Sequence, residues 1–314
     1  MAAITASPAT ARSRLPIAEI VHRAVVWAIL ATGASLLAAL LISGLSYYAM
    51  SIEERPYSPL HAQLRSSGVI GLRLGILGVA MFGVLFLYPL RKRWRWLARI
   101  GATRRWLRLH VLLGIATPLV VTFHTAFRFQ GLAGLAYWTM LMVALSGLVG
   151  RYVYAKIPRS LSSVQIAADE LESQIAALAG RLQEQQLFQG EDLAPLLRVP
   201  TALEIRKMNL LRALWVMLRI DLARPFLVSR LRRRVLRGSQ RIATLGGWLA
   251  SRDSHVESIV ANVRRQARLR STAAFLDRTQ RIFHLWHVVH RPFSISFVIL
   301  ILVHVGVQLS VGLR

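Results

Sequence analysis

Four of the nine histidines form two equally spaced pairs inside two long apolar stretches, His110 and His124 in one, His290 and His304 in the other. Both pairs are 14 residues apart. At about 100° per residue, 14 steps of a helix return to within about 40° of the start, so each pair shares a face. At 1.5 Å per residue the partners stand about 21 Å apart along the axis, one near each side of a hydrocarbon core about 30 Å thick. Neutral imidazole is a metal ligand. Two levels of facing imidazoles are what two stacked bis-histidine haems need, each nitrogen taking one axial position of an iron. A single intramembrane histidine would instead favour a proton relay, a helix–helix hydrogen bond or a cavity residue. Repetition of the same spacing at matching depths in two parallel spans favours haem.

Other residues could serve such a site. Arg73 lies inside a span, where an unpaired charge is costly, and Arg128 lies one turn past His124; both suit the propionates of an outer haem. Arg108 and Arg291 sit beside His110 and His290 and suit an inner one, or else snorkel to the interface. Gly114, one turn after His110, leaves room for a porphyrin, as do Gly75, Gly78, Gly147 and Gly150, although glycine also serves plain helix packing. His284 and His287 are 20 and 17 residues from His304, about 160° and 100° off its face. They read as interfacial residues, solvated or near an inner haem edge or a quinone pocket. A zinc site built from His284, His287 and His290 lacks a nearby carboxylate. His22, His61 and His255 read as ordinary surface or loop histidines. Pro118 and Pro292 are positions where either histidine helix can kink.

The elements that must hold these residues are membrane spans. The chain has 314 residues, 54% apolar and 17% charged, with mean hydropathy +0.46; a soluble domain carries about 25% charged residues. Five runs are long enough to cross a bilayer: Ala24–Met50, Val69–Leu90, Leu107–Phe127, Gly131–Gly150 and about Phe283–Leu313. None contains Asp or Glu. Cysteine is absent, which excludes disulfides, thiolate zinc sites, cysteine-ligated iron–sulfur clusters and covalent c-type haem. The net charge of +26 comes from 40 Lys and Arg against 14 Asp and Glu. These charges cluster beside the apolar runs, so they follow the positive-inside rule and not nucleic-acid binding. Arg12, Arg14 and Arg23 precede the first span, Arg91 to Arg105 separate the second and third, and Arg151, Lys156 and Arg159 follow the fourth. These segments are expected in the cytoplasm, with the N-terminus inside and the C-terminus on the periplasmic side. Trp94, Trp96, Trp106 and Trp286 sit where interface anchors belong.

Between the fourth and fifth runs lies an insert, residues 159–281, with 21 Lys and Arg against 11 Asp and Glu. Ser163–Leu187 and Asn209–Ala223 read as amphipathic helices, the second lying along the membrane surface. No glycine-rich phosphate loop or dinucleotide fingerprint is present. The expected fold is an all-α integral membrane protein: a five-span helical bundle with a long helical cytoplasmic insert between spans four and five. Its parts are residues 1–158 with four spans, 159–281 with the basic insert, and 282–314 with the fifth span.

Histidine pairs in the third and fifth spans, with thirteen residues between partners, resemble the transmembrane di-haem b-type cytochrome domain of ferric reductases and NADPH oxidases. The segments His110–His124 and His290–His304 carry the resemblance; Gly147–Arg159, GLVGRYVYAKIPR, also looks like a recurrent segment of bacterial membrane cytochromes. The resemblance implies that the four histidines are axial ligands of two b haems conducting electrons across a bacterial inner membrane. Such reductases usually add a sixth span and a C-terminal flavin and nicotinamide domain. Here the chain ends at Arg314, so the expected donor is a partner subunit, a soluble carrier or membrane quinol, and the chain is expected to be an electron-transfer subunit of an oxidoreductase. The basic insert could dock an acidic redox partner or lie on anionic lipid. A non-redox transporter or scaffold with a histidine relay is the alternative reading.

Overall fold

The computed structural model describes residues 17–157, 173, 195–235, 244–251 and 254–311, and among these every regular element is helical. In chain order they are α1 (Ile17–Ala49), a 3-10 turn (Arg55–Tyr57), α2 (His61–Leu64), α3 (Val69–Arg91), α4 (Arg95–Ala98), α5 (Thr103–His124), α6 (Gly131–Tyr154), α7 (Ala202–Lys207), α8 (Leu210–Val235) and α9 (Ser254–Val311). Five of them are long and apolar enough to cross a membrane: α1, α3, α5, α6 and α9 carry the five apolar runs of the sequence. This is the organisation of a multi-pass membrane protein. Its surface agrees, since α1 leaves Trp27, Ile29, Leu36 and Ile42 exposed, which only an apolar solvent tolerates over such an area.

The chain forms two compact units, Met1–Tyr137 and Trp138–Arg314. In the first, α3 packs along α5 through small residues. Gly71 and Gly75 form a small-xxx-small step and Gly78 follows one turn on; a Cβ at Gly78 would stand 3.0 Å from Val121 of α5. Close backbone approach of this kind substitutes for the hydrophobic drive that helices lack in lipid. α5 runs unbroken through Pro118.

In the second unit α9 is one continuous helix of 58 residues, about 87 Å long. The fifth apolar run is its C-terminal half, and Pro292 does not interrupt it. Its N-terminal half belongs to the insert and packs against α8 in the manner of a water-soluble protein. Leu196, Val228, Leu231, Val256, Ile259, Val260 and Val263 form one core; Ile205, Ala213, Met217 and Phe275 form another. Asn209 caps α8, its Oδ1 accepting from the Arg212 N–H at 2.7 Å. The α8 face opposite the core leaves Leu211, Trp215, Leu222 and Phe226 exposed. Of the helix expected at Ser163–Leu187 only Ser173 is described, and it is helical. Arg12, Arg14, Arg159 and Arg314 lie outside the described residues.

Candidate functional site

His110 and His124 both reach into α3. The Nδ1 of His110 lies 3.0 Å from the Leu85 carbonyl oxygen, and that of His124 lies 2.8 Å from the Gly71 carbonyl oxygen. A carbonyl only accepts, so Nδ1 carries the proton in both rings and Nε2 carries the lone pair. The two histidines therefore share a face of α5, as their spacing requires. The Leu85 acceptor is created by Pro89 within α3. Proline has no N–H, so the carbonyl four residues before it loses its helical donor. Tyr88 lies against the same imidazole, ring centroids 5.0 Å apart. The His124 ring lies over Gly75, where a Cβ would come within 2.6 Å of Cε1. No other residue fits under that ring without moving it.

The turn after His124 is strained and clamped. Ala126 and Phe127 have φ of 47° and 60°, the left-handed region that costs non-glycine residues about 1 kcal/mol or more each. Buried Arg55 holds this turn, donating to the carbonyl oxygens of Ala126 at 2.6 Å, Tyr48 at 2.9 Å and Met50 at 3.2 Å. At the other end of α5, buried Arg91 ties the connecting loop by donating to Ala98 O, Gly101 O and Thr103 Oγ1.

In the second unit His290 meets α6. Ser146 Oγ lies 2.8 Å from the Val143 carbonyl oxygen and 2.6 Å from His290 Nδ1. His290, like His110 and His124, is held through its Nδ1. Trp286 stacks on it, centroids 4.8 Å apart and planes 27° apart, and donates its indole N–H to Ser146 O at 2.7 Å. The indole occupies the space over Gly150, which a Cβ would fill. His304 lies 14 residues further along α9, half-buried.

Of the arginines read as haem partners, Arg73, Arg108, Arg128 and Arg291 are all exposed. Arg73 stands on the side of α3 away from Gly71 and Gly75, about 160° to 200° round the helix. Arg128 sits in the turn that follows α5. Gly114 has space beside it, since a Cβ there would meet only Leu85, at 3.8 Å. His284, His287 and Arg291 line a cleft of α9 together with Gln280, Phe283, Val288, Pro292 and Ile157. His290 faces Ser146, and no cluster of three or more metal-ligand side chains occurs among the described residues. The zinc trio His284, His287 and His290 is therefore not formed: His284 and His287 line the cleft, while His290 turns to Ser146. His61, read as an ordinary loop histidine, pairs with Tyr47 Oη at 3.1 Å through its Nδ1.

The sequence reading missed Ser146, Arg55, Asp221 and Pro89. Asp221 of α8 accepts from Tyr152 at 2.7 Å and pairs with Lys156 and with Arg224, joining α8 to the end of α6. Burial pushes its carboxyl up, but the hydrogen bonds from Lys156 and Tyr152 and the charges of Lys156 and Arg224 outweigh this and hold it below the usual carboxylate range. Only Pro89 had a signal in the sequence, a proline four residues after a residue facing His110.

These donors suit haem b. Three imidazoles have Nδ1 engaged, which is how a ligand histidine is oriented by the groups behind it, and Gly114 keeps bulk away on α5. Comparison of the chain with family models, with curated proteins and with solved structures found no match.

Proposed function

We propose that this chain is a membrane-embedded di-haem b-type cytochrome that carries electrons across the membrane, as a subunit of a larger redox complex. The donor is a cytoplasmic carrier or quinol, and the acceptor lies on the extracytoplasmic side of a bacterial inner membrane, with the N-terminus in the cytoplasm and the C-terminus in the periplasm. The observation that carries the reading is that His110, His124 and His290 each have Nδ1 engaged by a group behind the ring. A relay histidine exchanges protons at both nitrogens, whereas an axial ligand needs one nitrogen held and the other basic. His304 would be the fourth ligand. Haem b, when bound, supplies a one-electron carrier. The residues of the chain fix the imidazoles: the Gly71 and Leu85 carbonyls for α5, and Ser146 with Trp286 for His290. With two histidines on each iron no coordination site stays open, which suits transfer over oxygen binding. Arg73, Arg108, Arg128 and Arg291 are the cations we assign to propionates. The basic insert is the docking face for an acidic redox partner.

A pyridine haemochrome assay with a reduced-minus-oxidised spectrum tests this on detergent-purified protein. About two b haems per chain are expected. Loss of one haem in His110→Ala with His290→Ala, and of the other in His124→Ala with His304→Ala, would assign the two levels. Protein made with ample haem supply that holds none would sink the reading and put the transporter or scaffold first.

A further inference from the structure

The cleft on α9 lies where the helix changes character. Its N-terminal half carries Arg264, Arg265, Arg268, Arg270, Arg278 and Arg281, and its C-terminal half is the apolar run. Gln280, His284, His287 and Arg291 follow one another at i+4, i+3 and i+4 and share a face, forming a polar ladder about 16 Å long. Around the ladder stand Phe283, Val288, Pro292 and Ile157, giving a cleft of about 600 Å³, within the range of small-molecule sites. Pro292 has no N–H to give the Val288 carbonyl, which leaves an acceptor in the cleft wall. Phe283 and Trp286 both contact His287, centroids 5.5 Å and 5.2 Å away, and Trp286 is the ring stacked on His290.

We infer that this cleft binds the head group of a membrane quinone. A quinone is a flat apolar ring with oxygen at two opposite edges and an apolar tail. It needs apolar surface for the ring and tail and polar side chains at more than one level, both of which this face provides. A lipid phosphate fits worse, since among the described residues Arg291 is the one arginine or lysine that lines the cleft. The redox consequence rests on the haem reading above. Oxidation of one bound quinol to quinone gives up two electrons and two protons; two bound haems would each accept one electron, and the protons would leave past the Gln280 and His284 end. Aromatic contact from His287 through Trp286 to His290 gives the electrons a short path.

The test is photolabelling of the full chain in lipid nanodiscs with a short-tailed azidoquinone, mapped by peptide mass spectrometry, with haem content assayed on the same samples. Labelling is expected within residues 280–292, competed by unlabelled quinone. It should fall about tenfold or more in Val288→Trp, which fills the cleft from an exposed position, and in Gln280→Leu with His284→Leu, which removes two polar partners. Haem content should not change in either variant. Labelling scattered over all spans, or unmoved by Val288→Trp, or competed equally well by anionic phospholipid, overturns the inference. Specific labelling of protein that holds no haem keeps the cleft and rejects the conduit; two haems without labelling does the reverse.

Discussion

Along α3 and α5 the contact is made by Gly71, Gly75 and Gly78 against His124 and Val121; along α8 and α9 it is made by Val228 and Leu231 against Val256, Ile259, Val260 and Val263. In the first pair the polar groups are imidazoles that donate to backbone carbonyls. In the second they are a buried Arg232 forked onto Glu257, at 2.9 and 2.6 Å, with Glu257 also accepting from the Ser251 N–H. The difference follows from the solvent. A helix pair in lipid gains nothing by burying leucine, so it packs small residues and lets side chains reach the backbone. A helix pair in water gains about 25 cal/mol per Å² of apolar surface buried, and fills its seam with branched side chains. The first arrangement fixes positions, and the second supplies stability.

If that division holds, the largest loss of stability should come from the water-type pair. Phe275 is 1% exposed in the core shared by α7, α8 and α9. Phe275→Ala should cost about 3–5 kcal/mol, seen as an early unfolding step of the insert by thermal denaturation, while haem content at low temperature stays near that of the wild type. Simultaneous loss of haem and insert at every temperature would mean that the two regions are not separable.

Gly75→Val tests the other side. The added side chain would drive into the His124 ring, an overpacking worth about 1–3 kcal/mol. The expected result is loss of one haem of two with the insert transition unmoved. Retention of both haems would show that His124 takes another position when it ligates.

Ser146→Ala gives a smaller and cleaner change, because Ser146 is the only one of the three Nδ1 partners that is a side chain. Removing it frees His290 Nδ1 without altering helix packing, and groups behind a ligand histidine contribute about 10–100-fold in metal affinity. Haem should be lost more readily to apomyoglobin, and the midpoint potential of one haem should move. Ser146→Thr keeps the hydroxyl and should restore both; no change in either variant would make the Ser146 contact incidental.

The unequal legibility of these regions has the same physical origin. Apolar runs and a 14-residue spacing are properties of single helices, and they read directly from the chain. The partners of His110 and His124 are backbone carbonyls, which every residue has, so nothing in the sequence marks Leu85 or Gly71 apart from Pro89 downstream of the first. Arg91 looked like one more member of the basic flanks and Arg55 was not singled out, because composition cannot tell a solvated arginine from one that, like Arg55, caps three carbonyls. The apolar residues of α8 were read correctly as amphipathic, but which of them turn inward is set by α9. Thus Ala213 and Met217 are buried while Leu211 and Trp215 are exposed.

The smallest effect is expected where the insert meets α6. Asp221 joins α8 to Lys156 and Tyr152, and its carboxyl is held below the usual range. A depressed carboxylate contributes stability that is complete above the unfolded-state value, about 3.8 here, and is lost as pH falls through the folded-state value. Asp221→Asn should therefore lower the insert transition by about 1 kcal/mol at neutral pH, discounted because the carboxylate is partly open to solvent. The gap between wild type and variant should stay constant from pH 7 to about pH 4 and close below it, as the wild-type carboxyl takes up its proton. A gap that closes near pH 6 would point to a histidine instead, and a gap that persists below pH 3 would mean that shape and not charge joins α8 to α6. Since Asp221 meets Lys156, Tyr152 and Arg224 together, the same titration asks whether the junction is held electrostatically.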